Sequence, residues 1–266
     1  MSLVSTEWLD KNHSKVKIID SSWHMPNANR NAYEEYKKEH IKNAIFFDID
    51  KFSNKKTELP HMLPDEKEWE KIVSNLGITN EERIIVYDNS DVLSSCRCWY
   101  TFIFFGHKPN LISILNGGLS KWKKENRETT DKTSNHEKKN YKAKKISQLV
   151  KTKEEIDKNI SEKKFQVVDA RSKNRFLGLE KEPRPGVRSG SIKNSYCLPF
   201  GELINPEDKT FLEKNLIKEK FAKIGINKEN NVVFSCGSGI TAAVLSLAYS
   251  MINDKYLPKI YDGSWA

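Results

Sequence analysis

Six short runs of the chain, VKIID, RIIVYD, LISIL, FQVVD, NVVFS and PKIYD, are apolar and β-branched, without the in/out alternation of a half-solvated strand. Runs of this kind suit strands covered on both faces, as in a parallel sheet. Between them, DEKEWEKIVSNLG and NPEDKTFLEKNLIKEKFAKIG place apolar residues at helical spacing and finish on a glycine. Glycine tolerates the left-handed backbone just past a helix C-terminus. Strands alternating with helices predict an α/β fold.

The pattern occurs twice. LGITNEERIIVYDNS, beginning at Leu76, matches IGINKENNVVFSCGS, beginning at Ile224, at an offset of 148 residues. KVKIIDSS pairs with FQVVDARS, HIKNA with SIKNS, and ILNGG with IYDGS, in the same order and at nearly the same spacing. One repeat of this length indicates two copies of a domain, since solenoids use shorter and more numerous units. The predicted division is a first domain over 1–135, a linker over 136–150 in the lysine-rich stretch, and a second domain over 151–266. Where the second copy has Cys236, the first has Asp88.

Composition narrows the setting. With 37% hydrophobic and 30% charged residues over 266 positions, the chain has the balance of a soluble protein with a heavily solvated surface. No apolar stretch reaches the roughly 20 residues that span a bilayer, and the N-terminal segment lacks the apolar block of a signal peptide. A cytoplasmic protein that does not engage membranes is expected. The net charge of +9 comes from lysines spread along the chain, so nucleic-acid binding is not expected. The positive field suits small anionic substrates. Four cysteines without a CxxC spacing, and scattered histidines, indicate reduced thiols and no metal site. Cys96, Cys98 and Cys197 read as packing residues.

Cys236 stands apart from the other three. It follows NVVFS directly, opens the loop CGSGIT and precedes the helix-like TAAVLSLAYSM. In an open α/β sheet, ligands gather at the carboxyl ends of the strands. Two glycines let several loop N–H groups turn toward one atom, and the positive helix end adds to their pull. A cysteine so placed is expected to be largely thiolate and nucleophilic.

The loop, the duplicated halves with Asp88 opposite Cys236, HIKNAIFFDID, and YDGSW near the end together resemble the tandem-domain rhodanese sulfurtransferases, nearest to their mercaptopyruvate-using branch. The resemblance covers essentially the whole chain. It implies two rhodanese-like domains, each a mainly parallel sheet flanked by helices, with a catalytically silent first domain and an active second one. It further implies a Cys236 persulfide, a relay of Ser238, His61 and Asp50, and substrate contacts from Arg175 and Arg184. Gly237, Gly239, Ile240 and Thr241 of the loop and helix start are expected to line the substrate. The active site would then lie between the domains, with the silent half supplying the relay. The donor would be 3-mercaptopyruvate, and the acceptor cyanide, thioredoxin or another thiol. No cofactor is required, and a monomer is expected.

Residue types separate the competing chemistries. A cysteine phosphatase needs an arginine six positions after its cysteine to clamp phosphate, and that position holds Ala242. Thiosulfate sulfurtransferases of the resembled family carry basic residues just after the cysteine, whereas Gly237 and Ser238 are uncharged. A planar, permanently charged guanidinium suits the carboxylate of an α-keto acid. Two alternatives stay open at this level: thiosulfate:cyanide transfer, and a non-catalytic rhodanese-like binding module. Pyruvate release from mercaptopyruvate, run beside thiosulfate with cyanide, separates all three. In the resembled family a few more residues follow DGSW, so looser packing of the second domain near the cleft is expected.

Overall fold

The computed structural model describes residues 2–266. The chain forms two compact units. Among the described residues the first comprises 2–56, 63–146 and 207–210, and the second 57–62, 147–206 and 211–266.

In the first unit, strands β1 (Leu3–Val4), β2 (Lys17–Asp20), β3 (Ala44–Phe46), β4 (Ile84–Tyr87) and β5 (Ile112–Leu115) form one parallel sheet in the order β1-β5-β4-β2-β3. In the second, β6 (Val150–Lys151), β7 (Gln166–Asp169), β8 (Tyr196–Cys197), β9 (Val232–Ser235) and β10 (Ile260–Tyr261) repeat it as β6-β10-β9-β7-β8, again all parallel. The strand order is thus the same in both copies. β4, β5 and β9 are buried at every position, Ser113 and Ser235 included, as runs without in/out alternation predict. β2 and β7 have four residues each and lie inside their sheets, and the edge strands β1, β3, β6 and β8 have two or three.

Helices connect the strands: α1 (Thr6–Asn12), α2 (Ala32–Lys38), α3 (Ile49–Phe52), α4 (Glu66–Asn75), α5 (Ser95–Phe104) and α6 (Gly118–Lys124) in the first unit. The second has α7 (Lys153–Glu162), α8 (Lys173–Phe176), α9 (Lys214–Lys223) and α10 (Ile240–Ile252). Their starts are chemically marked. Asp65 caps α4 through the Glu68 N–H, and Thr152 and Glu155 form a reciprocal capping box on α7. α9 is shorter than its sequence pattern suggests. Residues ahead of it are held otherwise: Ile204 and Phe211 form an isolated antiparallel bridge, and Glu207–Thr210 packs with the first unit, where the Lys124 ammonium donates to the Glu207 carbonyl.

The lysine-rich stretch expected as a linker is docked along the first unit up to Ile146. Lys139 donates its N–H to the Ser74 carbonyl, Lys144 to Phe105 and Ile146 to Phe104. Tyr141 is 1% exposed and stacks on His107 at the edge of a cluster with Phe102 and Trp69. Lysine side chains on this strap reach solvent while its backbone and Tyr141 are bound.

Candidate active site

Cys236 leaves the carboxyl end of β9 beside β7, at the point where strand order reverses in the second sheet. It is 2% exposed. Its sulfur accepts the Gly239 N–H at 3.1 Å and lies 3.9 Å from the Ser264 hydroxyl. Gly239 is the N-cap of α10 with φ +83°, and this left-handed turn aims its N–H back at the sulfur. Ile240 and Thr241 form the first turn of α10, Ile240 buried and Thr241 half-buried.

The other cysteines differ from Cys236 in their surroundings. Cys96 and Cys98 lie inside α5, and burial pushes both thiols well above their ordinary value. Burial also lifts half-buried Cys197 to about 11. All four are free thiols.

The first copy shows what replaces the thiol. Asp88 occupies the corresponding position and accepts the Ser95 N–H, at the start of α5, and the Ser90 N–H, each at 2.9 Å. A carboxylate therefore takes the N–H groups of a loop that is three residues longer before its helix begins. Burial raises the Asp88 pKa, against the pull of those hydrogen bonds.

Ser238 is buried, and its hydroxyl lies 2.9 Å from His61 Nδ1. His61 comes from the sequence of the first half, yet with residues 57–62 it belongs to the second unit. Its φ of +60° is an uncommon conformation for a residue with a side chain. The structure thus brings together Cys236, Ser238 and His61. Asp50 lies in α3 of the first unit, where its carboxylate accepts the Trp23 indole N–H at 2.9 Å.

Arg175, in α8, reaches toward the loop: a Cβ placed on Gly237 would lie 3.1 Å from Arg175 Nη2. Glycine at 237 therefore leaves room for the guanidinium. Arg175 pairs with Glu182 through Nε at 3.1 Å and Nη2 at 2.5 Å. Arg184 lies half-buried in the following loop. Arg171 is buried and holds Asp169 through Nε and Nη2, Glu182 through Nη1 at 2.7 Å, and the Gly190 carbonyl. Burial alone would raise the Glu182 carboxyl, but the hydrogen bonds and charges of Arg175 and Arg171 outweigh it and hold the pKa below its ordinary value.

Three residues escaped the sequence reading. Glu182 was passed over between the arginines it joins. Ser264 accepts the Cys236 N–H at 3.2 Å, and its hydroxyl proton has two acceptors in reach, the Tyr261 carbonyl at 3.1 Å and Cys236 Sγ at 3.9 Å. Trp265 donates its backbone N–H to the Cys236 carbonyl and its indole N–H to the Arg188 carbonyl, and its ring centroid lies 5.0 Å from the Arg171 guanidinium and 4.5 Å from that of Arg188. The available signal for Ser264 was its place in the repeat, opposite Gly118.

The rhodanese-like domain family matches the chain twice, over residues 5–125 and 152–266. The chain is 35% identical to thiosulfate/3-mercaptopyruvate sulfurtransferase 1, mitochondrial, of Arabidopsis thaliana, over 99% of this chain and 74% of that protein. It is likewise 35% identical to 3-mercaptopyruvate sulfurtransferase of Mus musculus, over 99% of this chain and 90% of that protein. Among solved structures, SseA of Escherichia coli, described as a 3-mercaptopyruvate sulfotransferase, superposes with a TM-score of 0.89 at 29% identity, covering both chains fully. Family match and full-length relatives agree with the duplicated sheets: the chain belongs to the rhodanese family.

Proposed function

We propose that the chain is a sulfurtransferase that takes sulfur from 3-mercaptopyruvate onto Cys236 and passes it to a thiol or to cyanide. The observation that carries this reading is a buried cysteine whose sulfur receives the Gly239 N–H in an uncharged loop, with the Arg175 guanidinium beside Gly237. Relatives named for this donor support it. The Arabidopsis relative is named for thiosulfate as well, so thiosulfate is a secondary donor in this proposal.

In the first half-reaction the Cys236 thiolate attacks the thiol sulfur of the donor. The carbon–sulfur bond breaks, and its electron pair leaves with pyruvate as the enolate. Ser238 supplies a proton to that carbon and recovers one through His61, across their 2.9 Å contact. The Gly239 N–H and the Ser264 hydroxyl stabilise charge on sulfur. Arg175 and Arg184 hold the donor carboxylate. In the second half-reaction an acceptor thiolate attacks the outer sulfur of the persulfide and Cys236 leaves as thiolate; a second thiol then liberates sulfide. With cyanide the product is thiocyanate. Four free cysteines suit the reducing cytoplasm that we propose as its compartment.

The test is pyruvate release from 3-mercaptopyruvate, combined with mass analysis of the treated protein. The Cys236 peptide should gain one sulfur atom, and Cys236→Ser should abolish both signals. Sulfur on the Cys96 or Cys98 peptide, or pyruvate release that survives Cys236→Ser, would overturn the assignment.

A further inference from the structure

Asp169, Arg171, Glu182 and Arg175 form a line of alternating charges that runs from the end of β7 to the Cys236 loop. The first three side chains are 2%, 1% and 3% exposed, and Arg175 at the open end is 19% exposed. Arg171 is already matched by Asp169, which accepts from both Nε and Nη2. A second buried carboxylate on Arg171 is therefore not needed to balance the core. Burying a carboxylate is costly unless it is paired, and the pairing of Glu182 is directed at Arg175, through two hydrogen bonds.

We infer that Glu182 offsets the charge of Arg175 in the donor pocket, leaving Arg184 outside this line of charges, and so selects singly charged over doubly charged sulfur donors. This rests on the reading of the Cys236 loop as the sulfur-accepting site. With Glu182 ionised, the four groups sum to zero. The Arg175 guanidinium, held beside Gly237, can then orient a carboxylate by hydrogen bonding while offering little net attraction. An α-keto acid, whose charge resides in one carboxylate, loses little by this. A dianion such as thiosulfate loses the extra attraction that an uncompensated guanidinium would give it. The neutral Gly237 and Ser238 act in the same sense, so loop and arginine are tuned together.

The experiment compares wild type, Glu182→Gln and Glu182→Asp in two ways. Calorimetric titration of pyruvate and of thiosulfate, in a Cys236→Ser background, reads monoanion against dianion without turnover. Steady-state kinetics with 3-mercaptopyruvate and thiosulfate read the same ratio in kcat/KM. Glu182→Gln should shift both ratios toward the dianion on the order of tenfold, the effect of one uncompensated charge at close range, and through KM more than kcat. Glu182→Asp keeps the charge and should keep the ratio, even where both affinities weaken. Equal changes for both anions in Glu182→Gln, or a shift in Glu182→Asp as large as that in Glu182→Gln, would overturn the inference. Absence of pyruvate release in the wild type would instead refute 3-mercaptopyruvate as the donor, and the titration would still decide the role of Glu182.

Discussion

Ser264 and Gly118 occupy the same turn in the two copies. Their φ values are +51° and +57°, and the residue after each donates its N–H to the carbonyl of Cys236 or Asp88. Glycine adopts this left-handed conformation freely, whereas a residue with a side chain gives up about 1 kcal/mol or more. The active copy accepts that cost and gains a hydroxyl on the Cys236 N–H and sulfur. Ser264→Gly therefore separates the two effects. It should hold or raise the unfolding midpoint while lowering kcat/KM for persulfide formation roughly tenfold, the worth of one hydrogen bond to a charged group. Ser264→Ala keeps the backbone cost, loses the hydroxyl and should lower both. Denaturant midpoints and stopped-flow persulfide formation check this, and undiminished sulfur uptake in Ser264→Gly would refute it.

At the scale of elements, the docked strap makes a comparable claim on glycine. Gly106, just after α5, has φ +82°, and a Cβ there would lie 2.8 Å from the Lys144 carbonyl oxygen. Gly225, after α9, has φ +78° and nothing within 4 Å of such a Cβ. Gly225→Ala should then cost only the backbone preference, about 1 kcal/mol, while Gly106→Ala adds a clash with backbone and should cost roughly 3 kcal/mol. Urea unfolding of the two variants measures the difference, and equal losses would mean that the strap is not held as described. The strap also shows where the sequence is opaque. Its lysines announce solvent, and nothing in their spacing reveals that Tyr141 is buried or that the backbone bonds to Ser74 and Phe105. The long buried strands were legible because IIVY, ISIL and VVFS are apolar but for one serine each in the last two and show no alternation that would give a solvent face. The edge strands β1, β3, β6 and β8 have two or three residues, too few to display a period. In the site, Cys236 was legible from its loop chemistry. Ser264 and Glu182 were not, because their roles depend on a left-handed backbone and on ion pairs that only the folded chain assembles.

Across the whole molecule, duplication kept the sheet and let its polar interior diverge. Asp20 ends β2 as Asp169 ends β7, but two residues later the first copy has Ser22 where the second has Arg171. Asp169 is ion-paired; Asp20, 2% exposed, has hydrogen bonds from the Ser22 N–H and hydroxyl in place of a cation. Burial pushes its pKa up to about 6, against those hydrogen bonds. Because the folded state holds this proton to higher pH than the unfolded chain does, the contribution of Asp20 to stability is fully present below about pH 4. It falls as pH rises toward 6 and stays lost above that, by on the order of 2–3 kcal/mol. Asp20→Asn removes the charge and retains an acceptor for Ser22. It should raise the stability of the protein at pH 7.5 by up to that amount and leave it nearly unchanged at pH 4. Denaturant unfolding at the two pH values provides the check. A gain that is the same at both would place the effect in packing, and a loss at pH 7.5 would show that the ionised carboxylate is favoured by its surroundings. Asp169→Asn should behave in the opposite way, since it leaves the buried Arg171 guanidinium to Glu182 alone, which Arg175 already shares, and destabilises at neutral pH by roughly 3 kcal/mol. The same residue type at the same place in two copies of one fold is thus a liability in one and a support in the other, and the residue two positions on decides which.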